Sequence, residues 1–151
     1  MKIIVTSDIH GKKEIITKLL YEYDGDLFLD CGDSELSNYD LQNFESVRGN
    51  CDFENYPNYS IIEIDEYLKI FITHGHLYTI EEMLKISKKN KCNMILHGHT
   101  HIKKYEIIDE IYILNPGSIT KPRNKDSNTF LEIFYDIINK KINCEFVKIV
   151  L

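Results

Sequence analysis

Apolar residues in this chain come in short runs, most of them closed by a polar tail containing glycine. Residues 2–7 read as a buried strand running into Asp8-Ile9-His10-Gly11. Residues 12–23 put Ile15, Ile16, Leu19 and Leu20 on one helical face. Residues 26–29 form a second buried strand, closed by Asp30-Cys31-Gly32-Asp33. Residues 37–45 predict a short helix or irregular connection, and Ser46-Val47-Arg48-Gly49-Asn50-Cys51-Asp52 then reads as a brief strand ending in a Gly turn. Residues 59–64 and 68–73 predict a hairpin about Asp65-Glu66-Tyr67, with His74-Gly75-His76 at its far end. Residues 79–90 predict a helix with Ile80, Met83, Leu84 and Ser87 at helical spacing, Met83 being core. A strand over 93–97 leads into Gly98-His99-Thr100-His101. Strands over 103–109 and 111–114, an Asn115-Pro116-Gly117-Ser118 turn and a polar loop over 119–128 follow. Two last strands, over 128–136 and 142–150, are joined by Asn139-Lys140-Lys141.

Strand and helix alternate in the first half, and the second half is mainly strand. That order predicts an α/β core carrying mixed sheets, not a purely doubly wound fold. A length of 151 residues fits one domain over 1–151, and a 43% hydrophobic content supports a sizeable core. No apolar run approaches the ~18–20 residues that span a bilayer, so no membrane partner is expected. The N-terminus enters a strand without a signal-peptide core, which points to the cytoplasm.

A net charge of −6 speaks against stable nucleic-acid binding, which needs a basic face. It leaves room for a small phosphorylated substrate if bound cations reverse the sign locally. Of the four cysteines, none forms a CxxC pair; Cys92 and Cys144 read as small buried thiols. Lys121, Arg123 and Lys125 read as a solvated loop. Oligomeric state stays open between monomer and homodimer.

All six histidines stand at strand ends: His10, His74 with His76, and His97 with His99 and His101. Asp8 and His10, two apart on an extended strand end, can aim at one ion; the competing reading is a turn in which Asp8 caps the next helix. Gly32 lets the chain turn sharply before Asp33, whose two oxygens can serve two ions, while Asp30 reads as structural. Asn50 alone reads as a turn residue. Collected, Asp8, His10, Asp33, Asn50, His74, His99 and His101 are too many donors for one ion and suit two divalent ions with Asp33 between them. Nitrogen and oxygen donors without thiolate favour manganese, iron, nickel, cobalt or zinc over calcium or magnesium, manganese foremost. Such a pair lowers the pKa of a bridging water and clamps a phosphoryl group.

Asp8-x-His10, Gly32-Asp33, Gly49-Asn50, His74 and Gly98-His99-x-His101, in this order, resemble the motifs of the calcineurin-like metallophosphoesterases. Asn115-Pro116-Gly117-Ser118 and the short length resemble the small YfcE-type phosphodiesterases. The resemblance implies a four-layer fold, with two mixed sheets packed face to face and helices outside. It implies a first ion on Asp8, His10, Asp33 and His101, a second on Asp33, Asn50, His74 and His99, and hydrolysis of small phosphodiesters. Cys51 stands where many relatives carry a histidine able to protonate the leaving group. A thiol near two cations would ionise, which leaves His76 as the alternative proton donor. His97 is expected to point away from the metals, and Asp52 to orient the Asn50 loop. The same family includes the retromer scaffold subunit, so a non-catalytic binding module is the alternative; all seven ligand positions here nevertheless keep competent donors.

Overall fold

The computed structural model describes residues 1–123 and 125–151; Asn124, in the expected polar loop, lies outside the described residues. Ten strands and two helices follow the chain in order: β1 (Lys2–Thr6), α1 (Glu14–Glu22), β2 (Leu27–Asp30), β3 (Glu45–Ser46), β4 (Tyr59–Glu63), β5 (Lys69–Thr73), α2 (Ile80–Lys89), β6 (Met94–Leu96), β7 (Lys104–Ile108), β8 (Ile111–Asn115), β9 (Thr129–Asp136) and β10 (Lys141–Lys148). They form two five-stranded mixed sheets, in the orders β10-β9-β1-β2-β3 and β4-β5-β6-β8-β7.

The strand sequences explain this division. β1 and β6 are buried on both faces and read as unbroken apolar runs, as central parallel strands do. β10 alternates exposed and half-buried positions, as an edge strand with one solvated face does. β1 runs parallel to β2, with Ile3 opposite Leu27, and β5 parallel to β6, with Ile70 opposite Met94.

Three apolar layers separate four layers of structure. Between the sheets lie Val5, Leu29, Ile70, Ile72, Leu96, Leu131 and Tyr135. α1 closes the outer face of the first sheet with Ile15, Ile16 and Leu19 against Ile4 and Phe130. α2 closes the second with Met83 against Phe71, Ile95 and Ile113. Thr79 starts α2 with a capping box: Glu82 N–H donates to its hydroxyl at 3.1 Å, and Thr79 N–H donates to the Glu82 carboxylate at 3.1 Å. The expected α/β mixed-sheet architecture is the one observed.

Local differences are small. Over 37–45 the chain makes turns, the irregular connection of the two expected alternatives, and the brief strand expected from Ser46 is only Glu45–Ser46, pinned parallel to β2. The last strand ends at Lys148, short of the expected 150. Among the described residues no helix is long and apolar enough to cross a membrane.

Candidate metal centre

The tails of β1, β2, β5 and β6 meet on one rim. Asp8 follows β1, Asp33 follows β2, His74 follows β5, and His99 and His101 follow β6. Strand alternation does not aim them. Asp8 (φ 56°), His10 (φ 48°), Asp33 (φ 55°), His99 (φ 71°) and His101 (φ 61°) all sit in the left-handed region. This corrects the extended strand end expected for Asp8-x-His10: each tail turns on left-handed residues, a conformation that non-glycine residues adopt at a cost of about 1 kcal/mol or more each.

Surrounding hydrogen bonds hold those turns. Asp8 N–H donates to the Gly32 carbonyl at 3.0 Å and His10 N–H to the Asp33 carbonyl at 3.0 Å. Ser118 and Thr120 hydroxyls both donate to the Asp8 carbonyl, at 2.9 and 3.0 Å. Asn115 donates to the Gly98 carbonyl at 3.1 Å and to the Thr100 hydroxyl at 3.0 Å. The Asn-Pro-Gly-Ser turn thus ties the first and last ligand tails together. Two glycines permit the approach: a Cβ on Gly98 would collide with Ser7 Oγ, and one on Gly49 with Asp33 Oδ1.

Three imidazoles share one orientation logic. His74 Nδ1–H donates to the Cys31 carbonyl at 2.8 Å, and His101 Nδ1–H to the Lys121 carbonyl at 2.7 Å. His10 Nδ1 faces Glu35 Oε1 at 2.6 Å. A carbonyl only accepts, so Nδ1 carries the proton and the Nε2 lone pair points inward. His101 Nε2 lies 3.2 Å from Asp8 Oδ1 and 3.3 Å from His10 Nε2. His74 Nε2 lies 3.2 Å from Asp33 Oδ2 and 3.8 Å from Asp8 Oδ1. Asp8 Oδ1 and His74 Nε2 are buried without a hydrogen-bond partner.

Lone pairs of histidines and carboxylates facing one another across about 3 Å need protons or cations between them. Two groups have donor atoms close enough for one ion each: Asp8, His10 and His101, and Asp8, Asp33 and His74. Asp8 is common to both. The donor set therefore fits a pair of divalent cations with nitrogen and oxygen ligands. His99 and Asn50 stand beside the second group, the His99 ring centroid 5.1 Å from that of His74, and engage each other through His99 Nδ1 and Asn50 Oδ1 at 3.0 Å.

The electrostatics agree. Partial burial pushes the Asp33 carboxyl up, but the contact with His74 and the hydrogen bond from Cys51 N–H outweigh it and bring it to about 2. Burial alone would depress His74; contact with Asp33 and the charge of Asp8 raise it instead. His101 is raised by its contact with Asp8. His99 and His76 are lowered, by burial first and then by neighbouring histidines. Burial and then the Asp33 charge push the Cys51 thiol up, so the protein's own groups oppose the ionisation expected there.

Asp52 does what was expected of it and more. One of its oxygens accepts from Asp33 N–H at 2.9 Å and Gly49 N–H at 2.7 Å, and the other from Glu35 N–H at 2.9 Å. His97 is buried behind the site, its Nδ1 toward the Gly98 carbonyl at 3.2 Å, and burial lowers it to about 4. Glu35 was not singled out from the sequence. Its only sequence signal is its place two residues after Asp33, where left-handed backbone (φ 52°) turns it toward His10. Lys121 contributes a carbonyl, not its charge, to the site.

A rim of aspartates and histidines on the strand ends of two mixed sheets is the site of a metallophosphoesterase-like fold. The sequence profile of the calcineurin-like phosphoesterase superfamily domain matches residues 1–136, and the chain belongs to that superfamily. A probable metallophosphoesterase of Bacillus subtilis, YsnB, is 32% identical over 138 residues, covering 86% of this chain and 82% of that protein. The Escherichia coli phosphodiesterase YfcE is 29% identical over 102 residues, covering 62% of this chain and 54% of that protein. The crystal structure of a conserved Streptococcus pneumoniae protein, described as a predicted phosphoesterase, superposes with a TM-score of 0.87 at 29% identity, covering 97% of this chain and 88% of that one. Zinc-complexed Vps29 from Entamoeba histolytica superposes with a TM-score of 0.71 at 20% identity, covering 97% of this chain and 98% of that one; it shares the fold.

Proposed function

We propose that the protein is a dinuclear metal-dependent phosphodiesterase acting on small phosphodiesters. The observation that supports this most directly is the pair of donor groups on Asp8, in which buried, partnerless atoms of Asp8 and His74 face inward. Asp8, His10 and His101 would hold one ion, and Asn50, His74 and His99 the other, with Asp33 between the two as the sequence motifs imply and Asp8 within reach of both donor groups. Manganese is the foremost occupant, with nickel, zinc, iron and cobalt as alternatives. When bound, the ions supply a nucleophilic water near neutral pH and offset charge building on the phosphoryl oxygens.

The chain's own residues do the rest. Ser7 Oγ–H, 2.6 Å from Asp8 Oδ2, leaves Asp8 Oδ1 turned toward the ligand groups. Asn50 and His99 lie on the open side, where a phosphoryl oxygen would approach. Hydrolysis forms one P–O bond to water and breaks the bond to the leaving alcohol, which takes up a proton. His76 is the proposed donor of that proton. We place the protein in the cytoplasm as a monomer or homodimer, with no stable nucleic-acid or membrane partner.

The likeness to Vps29 is a likeness of fold and supports a scaffold role less well, because all seven ligand positions keep donors. The test is to strip the protein with chelator and add back manganese, nickel, zinc or magnesium singly. Bis(p-nitrophenyl) phosphate is then assayed beside p-nitrophenyl phosphate. Expected are about two ions per chain and metal-dependent diester cleavage, both lost in Asp33→Asn. Two tightly bound ions without turnover of either ester would move the assignment to a binding module.

A further inference from the structure

Beside the ligand groups lies a cavity of about 350 Å³, lined by Arg48, Gly49, Asn50, Asn58, His76 and Leu77. Its walls come from two separate tails. Arg48 N–H donates to the Pro57 carbonyl at 2.8 Å, and the Thr73 hydroxyl donates to the Asn58 carbonyl at 3.1 Å. The first bond closes the loop between β3 and β4 on itself, and the second ties the end of that loop to the last residue of β5, from which His76 and Leu77 follow. Among the described residues no carboxylate lies within salt-bridge distance of the Arg48 guanidinium. In a chain of net charge −6 that cation has no ion-pair partner among the described residues, and its charge is felt at His76. Leu77, 47% exposed, offers an apolar surface in the same cavity. A guanidinium beside an apolar side chain and two amides suits an organic group that carries its own anion.

We infer that this cavity receives the leaving arm of the substrate, with Arg48 binding a second anionic group on that arm. The assignment rests on the phosphodiesterase reading, since the cavity shares Asn50 with the proposed ligand set and His76 with the proposed proton donor. The substrate class is thereby narrowed to diesters whose leaving alcohol carries a carboxylate or phosphate. A second phosphate and a carboxylate present the same planar pair of acceptor oxygens to Arg48, and it is that charge that is recognised.

The experiment pairs two esters on the manganese-loaded protein: methyl 4-nitrophenyl phosphate, and methyl 3-carboxy-4-nitrophenyl phosphate. The wild type is expected to favour the carboxylated ester in kcat/KM. Arg48→Gln is expected to lower that preference by roughly three- to ten-fold, the yield of one partly exposed charge-assisted contact. Equal loss for both esters, or an unchanged preference, would overturn the assignment. In parallel, 3-carboxy-4-nitrophenol is titrated into the metal-free protein while the Arg48 Nε–H resonance is followed by NMR. A saturating shift, with an accompanying shift of the Leu77 backbone amide that is lost in Arg48→Gln, supports the cavity even if neither ester turns over, in which case the phosphodiesterase reading alone fails. No shift at 10-millimolar-scale ligand (about the concentration at which a single weak contact registers) overturns it.

Discussion

Replacing Asp52 by asparagine tests how the ligand tails are held. The carboxylate, 7% exposed, accepts three backbone N–H groups, from Asp33 and Gly49 on one oxygen and Glu35 on the other. Asparagine keeps the shape but has one acceptor. Its best orientation retains the Asp33 and Gly49 bonds as neutral ones, each weaker by about 1 kcal/mol. The amide group then meets Glu35 N–H donor to donor, leaving it unsatisfied at about 1–3 kcal/mol. The expected loss is about 3–5 kcal/mol, read by urea unfolding of the metal-free protein. Asp33 and Glu35 are both carried by the affected loop, so manganese affinity, read by equilibrium competition with a chelating dye, is expected to fall as well. A loss below about 0.5 kcal/mol, the range of ordinary surface substitutions, together with unchanged metal affinity would refute the reasoning.

Asp30 gives a pH prediction. Full burial, partly offset by the Ser46 and Thr6 hydroxyls, pushes its carboxyl up to about 7 from 3.8. A raised carboxyl favours the folded state while it is protonated, so its contribution is complete below pH 3.8 and is lost as pH rises to about 7. The span is about 4 kcal/mol at most. His97, lowered to about 4, acts in the opposite sense; the comparison is therefore wild type against Asp30→Asn. The stability of the variant relative to wild type should rise from pH 4 to pH 7.5, and a flat difference by urea unfolding would remove Asp30 as the cause. For His76→Ala, turnover of diesters with poor alkyl leaving groups is expected to fall by ~10²-fold or more, and of nitrophenyl esters far less. An equal fall for both removes His76 from proton donation.

Much of the centre is legible in one dimension because each donor stands just past an apolar run. Burying those runs in two sheets brings their ends to one rim, whatever the details of packing. Met83, Asp52 and the hairpin about Asp65 were legible for similar reasons, a periodic apolar position, a glycine turn and a short loop between strands. Glu35 was not legible, because a lone carboxylate two residues past a ligand has no periodicity; only the left-handed turn at 33–35 brings it to His10. The role of Asn115, Ser118 and Thr120 in clamping Asp8 and Gly98 was equally hidden, since Asp8 and Gly98 lie ninety residues apart in the chain.

The amino-acid sequence by itself determined the two-sheet α/β class, the strand-end placement of seven donors and the superfamily motifs. These follow from short-range periodicity and residue chemistry. The tertiary structure decided which atoms face inward. Three histidines present Nε2 because their Nδ1 atoms are occupied by Cys31, Lys121 and Glu35. It also decided that Asp8 reaches both donor groups, and that Arg48 stands over a cavity beside His76. Hydrogen-bond partners and cavity walls of this kind come from segments distant in sequence, where no local pattern can encode them.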